Sequence, residues 1–137
     1  MEANNTQAHP VTSRFRRPIE EIIEDLSKPL PARLIKQRKQ GGAMLDFIEW
    51  HTAVKILDYY APGWHGEVRS VTVTPDRVVV TYRITIEAAE GQIHREATGN
   101  ELIDSKGYGD PASNAEAMAF KRAAAKFGLA LALYSKE

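Results

Sequence analysis

The chain has 137 residues, of which 43% are hydrophobic, and this size and composition fit a single domain with one core. It contains no cysteine, which excludes disulfides, thiolate catalysis and cysteine-based zinc sites. No stretch approaches the ~20 consecutive apolar residues of a membrane helix, and the N-terminus lacks the apolar core of a secretion signal. We therefore expect a soluble intracellular protein that does not bind membranes.

The charges of the chain balance in number but not in position. Eighteen basic and eighteen acidic side chains give a net charge of zero, which by itself argues against a nucleic-acid partner. Acidic residues gather early in the chain. The basic residues form two clusters, Arg33, Lys36, Arg38 and Lys39 in the first half and Lys121, Arg122 and Lys126 near the end. Because charges farther apart than a Debye length of ~8 to 10 Å are screened from each other, a neutral protein can still carry a strongly positive groove. Two solvated helix faces are the alternative interpretation.

The first predicted elements are a tail, a short helix and an extended segment. Residues 1–17 are polar and lack an apolar period, so we interpret them as a flexible tail whose arginines contact phosphate loosely. Pro18 begins the folded domain, residues 18–137, with a helix that two prolines end. The apolar residues of this helix share one face: Ile19, Ile22, Ile23 and Leu26. Residues 33–42 end in a glycine pair, which predicts an extended segment that runs into a turn.

A second helix and three strands follow. Apolar residues recur at helical spacing over residues 48–60. Residues 64–74, 77–87 and 92–103 are separated by turn signals. In the middle run, apolar residues alternate strictly with mostly polar ones: Val78, Val80, Tyr82, Ile84 and Ile86. These runs predict a three-stranded antiparallel meander packed with helices, an α+β fold whose two open sheet edges favour pairing with a neighbour.

The last predicted element is a helix that ends near Lys126. It begins either at Asp110-Pro111 or at Ser113, where Ser113 and Glu116 have the spacing of a capping box. In the run 120–128, three cations stand among alanines. Small side chains beside cations would let a phosphate backbone approach the helix closely, whereas a solvent-facing helix end explains the cations equally well.

The sequence contains no recognisable catalytic or metal-binding pattern. The four histidines lack the spacing of a metal site: His9, His51, His65 and His94. Gly107-Tyr108-Gly109 precedes a helix, but it has neither a longer glycine fingerprint nor a Walker lysine, so we interpret it as a turn. We expect no metal, no cofactor and no enzymatic activity. A small α+β enzyme and a protein-interaction module with basic surface strips remain the alternative classes of function.

Residues 110–123 and 125–129 resemble the signature helix of the Rad52/22 single-strand annealing family, including its bacterial, phage and DdrA-type members. Upstream, Arg38, the pair Gly41-Gly42 and the run Phe47-Ile48-Glu49 are similar to the arginine, the glycine turn and the aromatic-Ile-Glu entry into a helix of that family. The resemblance implies a β-β-β-α core that assembles side by side into a ring, with single-stranded DNA in a groove around the outside.

The expected DNA-binding residues combine this resemblance with the two basic clusters. They are Arg38, Lys121, Arg122, Lys126, Lys36, Lys39 and Phe47. The resemblance implies that Arg38, Lys121 and Arg122 form the inner floor of the groove. It places Phe47 where the family often has a tyrosine near the bases, and Lys126 beside the position of a further arginine, for which it substitutes.

The function implied by the resemblance is annealing of complementary single strands, without catalysis or ATP, in homologous recombination and double-strand break repair. The expected partners are single-stranded DNA, further copies of the chain and other recombination proteins. The expected location is the bacterial cytoplasm, in association with the nucleoid. The alternative is that the protein is encoded by a phage.

Overall fold

The computed structural model describes residues 15–103 and 110–134, and within these ranges it contains three α-helices and five strands. The helices are α1 (Ile19–Leu26), α2 (Trp50–Tyr60) and α3 (Pro111–Ala125). The strands are β1 (Lys36–Gln40), β2 (Ala43–Phe47), β3 (His65–Val73), β4 (Arg77–Ala88) and β5 (Gly91–Leu102). Two 3-10 turns complete the chain order, at Ala32–Leu34 and at Leu131–Tyr134.

Strands β3, β4 and β5 form an antiparallel sheet in that order, which confirms the predicted α+β fold with a three-stranded meander. Alternation along β4 sets which face is buried: Val78, Val80, Ile84 and Ile86 are buried on one face. Ile84 and Ile86 belong to the same buried cluster as Phe127, which follows α3. No helix in residues 15–103 and 110–134 is long and apolar enough to cross a membrane.

The segment before α2 is a hairpin rather than one extended piece. Strand β1 pairs with β2, a strand that the sequence analysis did not predict. Gly41 and Gly42 connect them with φ of +59° and +81°, the left-handed pair that a tight hairpin turn requires. Helix α2 begins at Trp50, two residues later than the predicted start at Ile48. The hairpin is thus a two-stranded sheet separate from β3–β5, and every residue of β1 is exposed.

Arg17 does not belong to a loose tail, although residues 1–14 of the predicted tail lie outside the described ranges. Its Nη1 lies 2.8 Å from Oδ2 of Asp25, and its Nη2 donates to the carbonyl oxygen of Tyr60 at 3.2 Å. Burial raises the pKa of Asp25, but hydrogen bonds from Lys28 and Arg17 outweigh it, so the net pKa is lowered and the carboxylate stays charged. The Arg17 guanidinium therefore joins α1 to the end of α2 and is not a free phosphate contact.

Helix α3 begins at the first of the two predicted starts. The Asp110 side chain accepts from the backbone N–H of Ala112 at 3.1 Å and caps the helix, and Pro111 occupies its first position. Ser113 lies inside the helix and donates its hydroxyl to Asp110 at 3.0 Å. The capping-box start at Ser113 is therefore wrong, because an aspartate three residues earlier already satisfies the free amides.

Five alanines of α3 are buried, among them all three of the run 120–128, and this corrects the idea that these alanines leave room for phosphate. The buried ones are Ala115, Ala119, Ala123, Ala124 and Ala125. Gly99 of β5 lies directly beneath them, so close that an added Cβ would collide with the carbonyl oxygen of Ala115 and lie 2.5 Å from the amide nitrogen of Ala119. Small residues on both elements let α3 pack tightly on β5, which fixes where its cations stand.

Candidate nucleic-acid interface

A groove of about 860 Å³ runs between the β1–β2 hairpin and α3, and we call it the hairpin groove. Arg38 and Phe47 line it from the hairpin, and Lys121 and Arg122 line it from α3. Elements that are far apart in sequence thus form its two sides. Three of the expected basic residues, Arg38 from the first half of the chain and Lys121 and Arg122 from the second, meet here.

Arg38 and Lys121 are both held over the ring of Phe47. The Arg38 guanidinium carbon lies 5.1 Å and the Lys121 Nζ 5.2 Å from the centroid of that ring. Lys121 Nζ also donates to the backbone carbonyl oxygen of Ile48 at 2.9 Å, so this side chain ties α3 to the segment that leads into α2. Phe47 therefore serves as the surface that orients two cations. The resemblance had implied a position near the bases.

Lys121 is half-buried, not an exposed position on the helix surface. Burial lowers its pKa, the neighbouring Arg38 lowers it further, and the Glu49 carboxylate partly compensates. The charged form of Lys121 is thus less stable in the free protein than that of a fully exposed lysine. An anion bound between Arg38 and Lys121 would relieve their repulsion, so this pair is expected to attract anions to the hairpin groove.

Arg122 and Lys126 have a different geometry. Arg122 Nη1 donates to the carbonyl oxygen of Thr98 at 3.1 Å, and Lys126 Nζ donates to that of Glu96 at 2.6 Å. Both carbonyls belong to β5, the edge strand of the sheet, so the two cations cover part of an open edge. Arg122 also lines the hairpin groove, whereas Lys126 lines a smaller depression of about 320 Å³ on the other side of Arg122.

The hairpin separates its three expected cations onto two faces. Lys36 pairs with Phe47 and Arg38 with Leu45, so these side chains share one face. Lys39 pairs with Met44 and stands on the opposite face. The structure therefore groups Lys36 with Arg38 and directs Lys39 away from the Phe47 face.

Three charged or aromatic residues that line the hairpin groove were missed by the sequence analysis: Asp46, Glu101 and Tyr134. Asp46 lies on β2, the strand that was not predicted. Glu101 is the second-last residue of β5, and Tyr134 lies beyond the helix motif that carried the resemblance. None of these residues shows a local pattern that marks it, since only the packing of distant segments brings it to the groove.

The described residues contain no group of three or more histidine or acidic side chains placed to hold a metal ion. The predicted turn at Gly107-Tyr108-Gly109 lies outside the described ranges.

The chain matches a known protein family over most of its length. Residues 18–137 match the model described as "Rad52/22 family double-strand break repair protein", and the chain therefore belongs to this family. The family part of the resemblance is confirmed, and the process in which the chain takes part is DNA repair and recombination.

Two plant proteins of Arabidopsis thaliana are similar over most of the chain. "DNA repair RAD52-like protein 1, mitochondrial" is 44% identical, and the match covers 98% of this chain and 78% of the relative. "DNA repair RAD52-like protein 2, chloroplastic" is 42% identical, with 90% of this chain and 64% of the relative covered. The expected bacterial cytoplasmic or phage-encoded origin is wrong, because these relatives are named as organellar plant proteins.

Proposed function

We propose that this chain binds single-stranded DNA in the hairpin groove and anneals complementary strands during DNA repair and recombination. The observation that carries the proposal is the pair of cations, Arg38 and Lys121, held together over Phe47. Two cations beside one ring attract the phosphates of a strand, whatever its base sequence. Binding through the backbone leaves base edges free to pair, and it requires neither a nucleotide nor a metal ion.

The acidic side chains of the groove are consistent with a DNA strand that must be released after pairing. Asp46 and Glu101 line the same groove as the cations and lower the positive potential there. A groove that binds DNA with moderate affinity holds a single strand long enough for pairing and then releases the duplex. The names of the two plant relatives also support an organelle as the place of action.

We further propose that several copies associate side by side into a closed ring. Val68, Val71 and Val73 of β3 pair with Tyr82, Val80 and Val78 of β4, so they lie on the face of the sheet that α3 covers. Helix α3 packs mainly on β4 and β5, and these three valines stay exposed, Val71 at 56%. An apolar strip beside an open sheet edge favours a repeated head-to-tail contact between identical copies.

Titration of a labelled oligothymidine at several salt concentrations tests the proposal. We expect log affinity to fall with log salt with a slope of roughly 0.7 per phosphate contact, and weaker binding to a duplex of equal length. Annealing of complementary oligonucleotides should proceed without ATP and with a chelator present. An absence of salt-dependent binding would favour a protein-interaction module, and a requirement for ATP or metal would favour an enzyme.

Replacement of Val71 by aspartate should lower the mass of the assembly, because a charge in the apolar strip opposes its burial against a second copy. The matched control is Thr72→Asp, one residue along β3 and on the opposite face of the sheet. Light scattering at micromolar protein measures both. A wild-type monomer, or equal masses for the two variants, would refute association through this strip.

A further inference from the structure

Phe47 and Tyr134 are the aromatic residues that line the hairpin groove, and they differ in what they contact. The Phe47 ring is half-buried and already in contact with Arg38 and Lys121. Tyr134 is 45% exposed. A base that enters the groove therefore finds its accessible aromatic surface at Tyr134.

The backbone after α3 is folded so that Tyr134 returns to the helix. Phe127 and Leu129 are fully buried and anchor this segment. Gly128 between them has a φ of +106°, and a Cβ there would collide with the hydroxyl of Ser27. Ala130 also lies in the left-handed region at φ +58°, which is uncommon for a residue other than glycine. Two left-handed residues close together reverse the chain and lead it into the turn that carries Tyr134.

Tyr134 lines both the hairpin groove and the smaller depression, and Arg122 is the other residue that the two share. Burial raises the pKa of Tyr134, although Arg122 opposes the rise, so the side chain is a neutral phenol at physiological pH. A neutral aromatic ring beside a guanidinium is the combination on which unpaired bases stack while the cation attracts the backbone.

We propose that Tyr134 is a base-stacking site, where a base of the bound strand rests as the strand passes Arg122 from the hairpin groove into the smaller depression. The inference rests on the proposed binding of single-stranded DNA and adds a contact to a base. Because every base has an aromatic face, this contact favours single strands without selecting a sequence.

The test compares wild-type protein with Tyr134→Ala, Tyr134→Leu and Tyr134→Phe on two probes. One probe is an oligothymidine, and the other is an abasic strand of equal length with the same phosphates. The alanine and leucine variants should bind oligothymidine roughly 5- to 100-fold more weakly with an unchanged salt slope, because a stacked base and no phosphate contact is lost. Tyr134→Phe should bind like the wild type, and all four proteins should bind the abasic strand equally.

Tyr134→Leu retains apolar packing in the turn, so it keeps the test valid if Tyr134→Ala unfolds. Weakening of both probes alike, a lower salt slope, or wild-type affinity of the leucine variant for oligothymidine would each overturn the stacking site. Failure of the wild-type protein itself to bind oligothymidine would instead overturn the proposed function.

Discussion

Replacement of Arg38 by alanine should weaken the binding of single-stranded DNA by about 10- to 100-fold, which corresponds to the loss of one hydrogen bond to a charged group. The dependence of log affinity on log salt should flatten by roughly 0.7 for each phosphate contact that is lost. Folding should change little, because Arg38 is exposed on a two-stranded hairpin. Fluorescence anisotropy at several salt concentrations measures both effects.

Lys39→Ala is the matched control for this prediction. It removes the same charge from the adjacent residue of the same strand, but its side chain stands on the opposite face of the hairpin. We expect near-wild-type affinity and slope. Equal losses in the two variants would show that the whole hairpin attracts DNA through general positive charge, and the hairpin groove would not be the binding surface.

Lys121 is a less suitable position for this comparison. Its Nζ donates to the carbonyl oxygen of Ile48, and its removal would leave that buried residue's carbonyl without this donor. A Lys121→Ala variant would therefore combine a change in DNA binding with a change in stability.

Replacement of Gly99 by alanine should destabilise the protein by about 3 kcal/mol, the upper end of the range for overpacking a core. The atoms that a new Cβ would meet are backbone atoms of α3, at Ala115 and Ala119, and they cannot move without a shift of the helix. For a domain of this size we expect a fall in Tm of about 10 °C. Thermal unfolding followed by circular dichroism measures it.

The control is Thr98→Ala, on the neighbouring residue of β5, whose side chain is exposed; we expect an effect within about 0.5 kcal/mol. Gly99→Ala should also weaken DNA binding at temperatures where the protein is still folded, since a displaced α3 moves Lys121 away from Phe47. An unchanged Tm for Gly99→Ala would contradict the close packing of α3 on β5.

The main sheet could be predicted because its pattern is local. Strict alternation at Val78, Val80, Ile84 and Ile86 follows from the period of a strand, and it identifies the buried face without knowledge of the partner. The three strands of the main sheet begin and end within one residue of the predicted positions. Strand β2 was missed, since Ala43–Phe47 has no alternation of its own and pairs only through the turn at Gly41 and Gly42.

The candidate site was predicted only in part, because which charges stand together depends on long-range packing. The amino-acid sequence by itself determined the two basic clusters and the motif that relates the chain to its family. Only the tertiary structure decided that Arg38 and Lys121 share the ring of Phe47, that Arg122 and Lys126 cover the edge of β5, and that Tyr134 enters the groove. These placements depend on the close packing of α3 against Gly99 and on the folded turn after Gly128, and neither contact has a local signature in the chain.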